Sequence, residues 1–473
     1  MMRFLLTILI MCMLVSASAP QILIEEEKVS MDVEHENARE IRIALYRSDV
    51  STNPLTVSCF RYGWKVNGRE YVFNITEIGR KEVMGVGKNA LTNENFDVFI
   101  VGASARSYLV DGFNEKWHKN VLNFVANGGG YIGICGGAIL ASRGYKMPKS
   151  AFQRHVNEGV LGMADVYIND DFDGEWQYLL KVGFLNNSGQ ICVATKIIGG
   201  KKIFGDYKKD MLNISYGGGP SFLPAGDGNK IKPMLIYSEE LMETKPIHYW
   251  IPTLHGWKIW RNVTTDIKGE WAAIETDYGK GKIFLFGPHP EEPFMENGTI
   301  VEFFGKSVWG PWWQYLYAWV GGNYTPISQN WWILRRCAAV AAGVNESDLP
   351  PLSKEAAIII KPLNGKFGGV YVNNDSIYIN FLRKISKAIG RAIIIGNLTV
   401  LVYTVDGIRA EFYIDGKLKE TEDEPKEYEI YGYKFNAFSW QLDCTAGFHT
   451  LKVIVYSENG NIAWDERKIA VLQ

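Results

Sequence analysis

Residues 128–142 read Gly-Gly-Gly-Tyr-Ile-Gly-Ile-Cys-Gly-Gly-Ala-Ile-Leu-Ala-Ser, and no other stretch constrains the fold as tightly. The three glycines end a preceding helix. Tyr131 to Ile134 read as a short buried strand, and an apolar run from Ala138 opens the next helix. Cys135 falls on the turn between them, flanked by Gly133, Gly136 and Gly137. This is the pattern of a strand–nucleophile–helix elbow, in which small neighbours let backbone segments pass close together. A helix N-terminus supplies partial positive charge to a side chain placed there. The competing reading is a structural cysteine buried in a glycine-rich turn.

Residues 281–291, Gly-Lys-Ile-Phe-Leu-Phe-Gly-Pro-His-Pro-Glu, form a second such signal. An apolar strand runs straight into His289, with Glu291 two positions on. A histidine and a carboxylate at that spacing supply a base and a group to orient it. In an open α/β sheet the carboxyl ends of parallel strands share one edge, where sites gather. Otherwise His289 is a turn residue between two prolines.

Gly133-Ile134-Cys135-Gly136-Gly137 and His289-Pro290-Glu291 together resemble the Cys–His–Glu triad of class I glutamine amidotransferase-like domains. With Tyr216-Gly217-Gly218-Gly219 added, the resemblance is closer to the branch at the N-terminus of some biotin–protein ligases and in stand-alone secreted proteins. It covers roughly residues 40–305. It implies an α/β fold with a flavodoxin-like doubly wound parallel sheet. It also implies Cys135, His289 and Glu291 as the catalytic set, an oxyanion hole at Gly102, Ala103 and Gly136, and a substrate pocket touching Gly217, Gly218 and Gly219. Such chemistry needs no metal and no organic cofactor. Two positions depart from the family pattern. Ala103 stands where a second glycine is usual, and Ile139 stands four residues after the cysteine, where glutamine-hydrolysing relatives carry Gln or Glu. No ligase-like or synthetase-like segment is read in the chain, so neither biotin transfer nor ammonia supply is expected.

Arg3, the apolar run Phe4 to Val15 and Ser16-Ala17-Ser18-Ala19 have the order of a secretory signal, placing residues 1–19 outside the mature fold. Nine Asn-X-Ser/Thr sequons, at Asn74, Asn186, Asn213, Asn262, Asn297, Asn323, Asn345, Asn374 and Asn397, agree with a secreted or cell-surface protein. Five cysteines follow the signal: Cys59, Cys135, Cys192, Cys337 and Cys444. An odd number leaves at least one thiol free, and the other four are either paired or buried. The net charge of −2 gives no electrostatic case for nucleic acid or an anionic membrane, and no later segment suits a stable membrane span.

The organisation expected is an amidotransferase-like domain over 38–305, with a β-rich insertion at about 165–275. An aromatic-rich helical segment and linker follow over 306–350, and an immunoglobulin-like β-sandwich over 355–473. The insertion carries an acidic and aromatic run, Asp170 to Trp176, better suited to a solvated turn than to calcium. The tryptophans of 306–332 suit a buried seam more than a ligand platform. From residue 356 short strands, Ile393 to Tyr403 among them, alternate with turn signals such as Asp415-Gly416. The leading function is an exported cysteine-dependent amide hydrolase or amidotransferase-like enzyme, with a small-molecule or peptide amide as substrate. The rival is a catalytically silent extracellular binding protein, with cell-envelope contact through the C-terminal domain.

Overall fold

The computed structural model describes residues 38–47, 54–103, 107–169, 188–226, 230–245, 248–262, 265–306, 313–325, 327–363, 369–430 and 433–472. The expected signal segment, the acidic run at 170–176, Trp309 and Trp312 lie outside the described residues. Arg39–Gln473 form one compact unit. No described helix is long and apolar enough to cross a membrane.

Five parallel strands make the centre of the sheet: β1 (Arg39–Tyr46), β3 (Arg69–Ile78), β4 (Val98–Val101), β5 (Gly130–Ile134) and β7 (Gly281–Phe286). They lie side by side in the order β3–β1–β4–β5–β7. Strand β2 (Tyr62–Val66) continues one side antiparallel to β3, and β6 (Trp271–Tyr278) continues the other side antiparallel to β7. Alternate residues of a strand point to opposite faces, and here both faces are buried. Phe99, Tyr131, Ile283 and Leu285 pack with Trp117, Val121, Phe124 and Val125 of α1 (Glu115–Ala126). Ile132, Ile134, Phe284 and Phe286 pack with Trp331, Leu334, Cys337 and Ala338 of α3 (Trp331–Ala341). The N-cap of α1 is Asn114, whose side chain accepts the Trp117 N–H at 3.0 Å. All eleven residues of α3 are buried.

Residues 356–472 form two facing groups of strands. Ala356–Lys361, Thr399–Val405, Tyr433–Gln441 and Lys426–Ile430 pair antiparallel. Gly407–Ile414, Lys417–Glu422, Gly447–Ser457 and Ile462–Leu472 make the other group. Phe412 and Trp440 meet between them at 5.5 Å.

Three local expectations are corrected. The run Ile393 to Tyr403 is not one strand. It breaks at Gly396, whose φ of +73° turns the chain from Ala392–Ile395 in one sheet to Thr399–Val405 in the other. Residues 380–389 form a helix, ended by left-handed Gly390, within a region read as strands and turns. The first part of 306–350 is a strand, not a helix: Trp313–Val320 pairs with Thr299–Lys306 and Ser188–Gly189, as its alternating aromatics favour.

The last strand adds directly to the α/β sheet, with Tyr62 opposite Ala463 and Gly63 opposite Ile462. Arg61 pairs with buried Asp465 across the same junction. Beside it, Asp348 accepts from Tyr71 at 2.8 Å, Arg69 at 2.7 Å and Asn67 at 3.1 Å. These bonds hold the Asp348 carboxyl well below the usual carboxylate range. A depressed folded value contributes stability above the unfolded carboxylate's pKa, about 4, and loses it as pH falls toward the folded value. The stability gap between the wild type and Asp348→Asn in urea melts is therefore expected to be widest near neutral pH. It should shrink as pH drops below about 4, and a gap independent of pH would contradict this assignment.

Candidate active site

Strand register brings three loops together. Val101 lies opposite Gly133, and Ile134 opposite Phe286. β4, β5 and β7 therefore end at nearly one level, and Gly102, Cys135 and Gly287 follow those ends.

Cys135 begins the short helix α2 (Gly136–Ala141) with φ +50° and ψ −107°, a conformation L-residues rarely adopt. Strain of this kind costs on the order of 1–3 kcal/mol and is held only by strong surroundings. The Cys135 N–H donates to the Phe286 carbonyl at 2.8 Å, and its own carbonyl accepts from Ala138 and Ile139 at 3.0 Å each. Gly137 is required by space: a Cβ there would lie 1.8 Å from the Val101 carbonyl oxygen. The Tyr131 hydroxyl donates to the Gly137 carbonyl at 2.7 Å and ties the helix down from β5. Gly136 occupies the first helical position, whose N–H has no acceptor within the helix.

His289 and Glu291 are both buried, and Glu291 is fully so. His289 Nδ1 and Glu291 Oε1 are 2.9 Å apart, and a carboxylate acceptor places the proton on Nδ1. The His289 N–H donates to the Ser215 carbonyl at 2.7 Å. The Trp331 indole of α3 donates to the Glu291 carbonyl at 2.9 Å. His289 Nε2 is buried and meets no partner at full hydrogen-bond geometry among the described residues. The Cys135 side chain is nevertheless close enough to act on the ring. Burial opposes the imidazolium, but the charges of Glu291 and Cys135, with hydrogen bonds to both, outweigh it and hold His289 well above the ordinary histidine range.

That shift has a sign. A raised folded pKa contributes stability fully below the unfolded value, about 6.5, and loses it as pH rises through the folded value. Glu291→Gln removes the main stabilising charge. NMR titration of His289 is expected to show a midpoint well above 6.5 in the wild type and a clear drop in Glu291→Gln. Equal midpoints would contradict the pairing.

The structure thus brings Cys135, His289 and Glu291 to one sheet edge. Gly102 and Ala103 leave β4 beside them, with residues 104–106 outside the description. The loop Gly217-Gly218-Gly219 also belongs to this neighbourhood. A Cβ on Gly219 would lie 1.7 Å from the Gly287 carbonyl, so the loop backbone presses on the segment that delivers His289. Ile139 is buried in the apolar cluster on the α1 side of the sheet and adds no polar group. Sequence reasoning missed Ser215 and Trp331, which fix the backbone around the His289–Glu291 pair. The segment Ser215-Tyr216-Gly217 gave a weak signal for the first, and nothing local marks the second.

All five described cysteines are free. Burial pushes the Cys59 thiol up to about 12 and Cys192 to about 11, and raises Cys337 and Cys444 as well. No group of three or more metal-ligating side chains gathers among the described residues.

Residues 83–300 match the family model for the biotin-protein ligase N-terminal domain. No curated protein sequence matches the chain. Among solved structures, a glutamine amidotransferase from Thermotoga maritima is 12% identical, over 54% of this chain and 77% of that one, at a TM-score of 0.28. A β-galactosidase from Bacillus circulans sp. alkalophilus is 8% identical over 90% of this chain, at a TM-score of 0.32, and the chain spans 41% of its length. Fibronectin(III)-like modules of CbhA from Clostridium thermocellum are 21% identical over 18% of this chain and 87% of theirs, at a TM-score of 0.14.

Proposed function

We propose that this protein is an exported cysteine-dependent amide hydrolase or amidotransferase-like enzyme, with a catalytic α/β region of flavodoxin-like topology and a C-terminal β-sandwich. The strand order β3–β1–β4–β5–β7, second–first–third–fourth–fifth among the parallel strands, supports the topology. The facing strand groups of residues 356–472 support the sandwich. The observation that carries the catalytic reading is the buried 2.9 Å His289–Glu291 contact, just past the end of the strand whose Phe286 carbonyl holds the Cys135 N–H.

In this reading the Cys135 sulfur attacks the carbonyl carbon of a small-molecule or peptide amide, and His289 Nε2 takes the thiol proton. Glu291 keeps the ring oriented and supports its positive charge. Backbone N–H groups at Gly136 and at Gly102-Ala103 face the negative oxygen that develops. Collapse of that intermediate returns the proton to the departing amine and leaves a thioester on Cys135. Water, deprotonated by His289, releases the acid and restores the thiol. Buried Ile139 supplies no polar partner for a substrate side-chain amide, so the substrate differs from glutamine at that end.

The test is a panel of amide and peptide substrates, with Cys135→Ala as the blank. The wild type is expected to release amine from at least one substrate class, and Cys135→Ala to lose that release with its melting temperature little changed. Turnover that survives in Cys135→Ala would refute the assignment.

A further inference from the structure

The segment Tyr216-Gly217-Gly218-Gly219-Pro220 carries three consecutive glycines, which offer no side chains to hold their own backbone in place. All five residues are nevertheless buried, and buried carbonyl groups need donors. Two tyrosine hydroxyls supply them. Tyr216 reaches forward and donates to the Gly219 carbonyl at 3.1 Å. Tyr237, the last residue of the strand Lys232–Tyr237, donates to the Pro220 carbonyl at 3.0 Å. Both tyrosines are fully buried, and their rings meet edge to face at 6.1 Å.

This segment meets the limb that carries His289 at two points. At its start, the Ser215 carbonyl accepts the His289 N–H at 2.7 Å, and the two residues form a bridge. At its end, Gly219 and Pro220 lie against Gly287. A Cβ on Gly287 would fall 1.8 Å from the Pro220 carbonyl oxygen and 2.4 Å from the Tyr237 hydroxyl. The Gly287 N–H donates to the Ala272 carbonyl at 2.9 Å, so Gly287 is held from the β6 side as well. Only Pro288 separates Gly287 from His289.

We infer that Tyr237, together with Tyr216, is a positioning residue for His289, acting through the glycine segment and not on the substrate. The inference rests on the triad reading above. It gives Gly217-Gly218-Gly219 a task besides lining a pocket: their backbone is the template on which the His289 limb is laid. His289 must keep Nδ1 on Glu291 Oε1 at 2.9 Å while its ring stays within reach of Cys135. A hydrogen bond weakens steeply off its preferred geometry, and small misplacements of a catalytic group cost rate out of proportion. The two hydroxyls fix the template, and the template fixes the ring.

The experiment compares Tyr237→Phe, which keeps the ring and removes the hydroxyl, with Tyr71→Phe. The second variant also deletes a buried tyrosine's hydroxyl bond, but one made to Asp348 at 2.8 Å, beside the junction with the last strand. NMR titration of His289 and the pH dependence of iodoacetamide labelling at Cys135 are read in both. In Tyr237→Phe the His289 midpoint is expected to fall by about one pH unit toward the ordinary histidine value. Cys135 labelling at neutral pH is expected to slow by roughly threefold to tenfold. Tyr71→Phe should lower the melting temperature comparably and leave both readouts at wild type. Tyr216→Phe is the second variant and should move both readouts in the direction of Tyr237→Phe. His289→Ala, labelled alongside, separates two failures: a Cys135 rate equal to wild type there would sink the triad reading itself. The His289 midpoint tests positioning alone, because it reports the Glu291 contact whether or not the site turns over. The inference is overturned if Tyr237→Phe and Tyr216→Phe both keep the wild-type midpoint. It is equally overturned if Tyr71→Phe lowers that midpoint as much, which would mark a general loosening of the fold.

Discussion

Gly137→Ala is expected to destabilise the protein by about 3 kcal/mol or more, the upper range for forced overpacking. The added methyl group would lie 1.8 Å from the Val101 carbonyl oxygen, and that neighbour is backbone. Val101 is the last residue of β4 and is paired opposite Gly133 of β5. It cannot retreat without opening the ladder that sets the level of the active-site loops. Gly102→Ala, one residue beyond Val101, is the matched control, because a Cβ there meets no heavy atom within 4 Å. Denaturant melts should separate the two variants widely, with Gly102→Ala close to wild type. Similar stabilities for both would show that α2 does not rest on β4 as described.

The contrast between these glycines shows what the sequence made legible. The elbow was readable because a tight strand-to-helix turn admits only small residues on either side of its apex, so Gly133, Gly136 and Gly137 announce it. The His289–Glu291 pair was readable because an apolar strand ending in a histidine leaves few places for that side chain. The order of the parallel strands follows from which strands carry crossovers and has no local sequence signal. What stayed hidden depends on contacts distant in sequence. Ile393 to Tyr403 is apolar throughout except for Gly396, Asn397 and Thr399, and only the two-sheet arrangement turns that glycine into a corner. The helix at 380–389 did carry a local signal, with Phe381, Leu382, Ile385 and Ile389 at helical spacing and Gly390 after it, and reading the whole region as strands passed over it. Arg335 lies in a fully buried helix, its guanidinium 3.9 Å from the Tyr62 ring centre and its Nε donating to the Cys59 carbonyl at 2.8 Å. No local pattern predicts that a cation sits there.

The central claim is that Cys135 and His289 act together. Of the five described cysteines, four have thiols held up by burial, two of them to about 11 and about 12, so at neutral pH they react slowly with an alkylating reagent. Cys135 is half-buried at the head of α2 beside the His289–Glu291 pair. The decisive measurement is the rate of iodoacetamide labelling at Cys135, followed site by site by peptide mass analysis in the wild type, His289→Ala and Glu291→Gln. Cys135 is expected to label first in the wild type, to slow by roughly tenfold or more in His289→Ala through loss of the base, and to slow less in Glu291→Gln. Equal Cys135 rates in the wild type and His289→Ala would mean that the two side chains do not cooperate, and the catalytic account would fall.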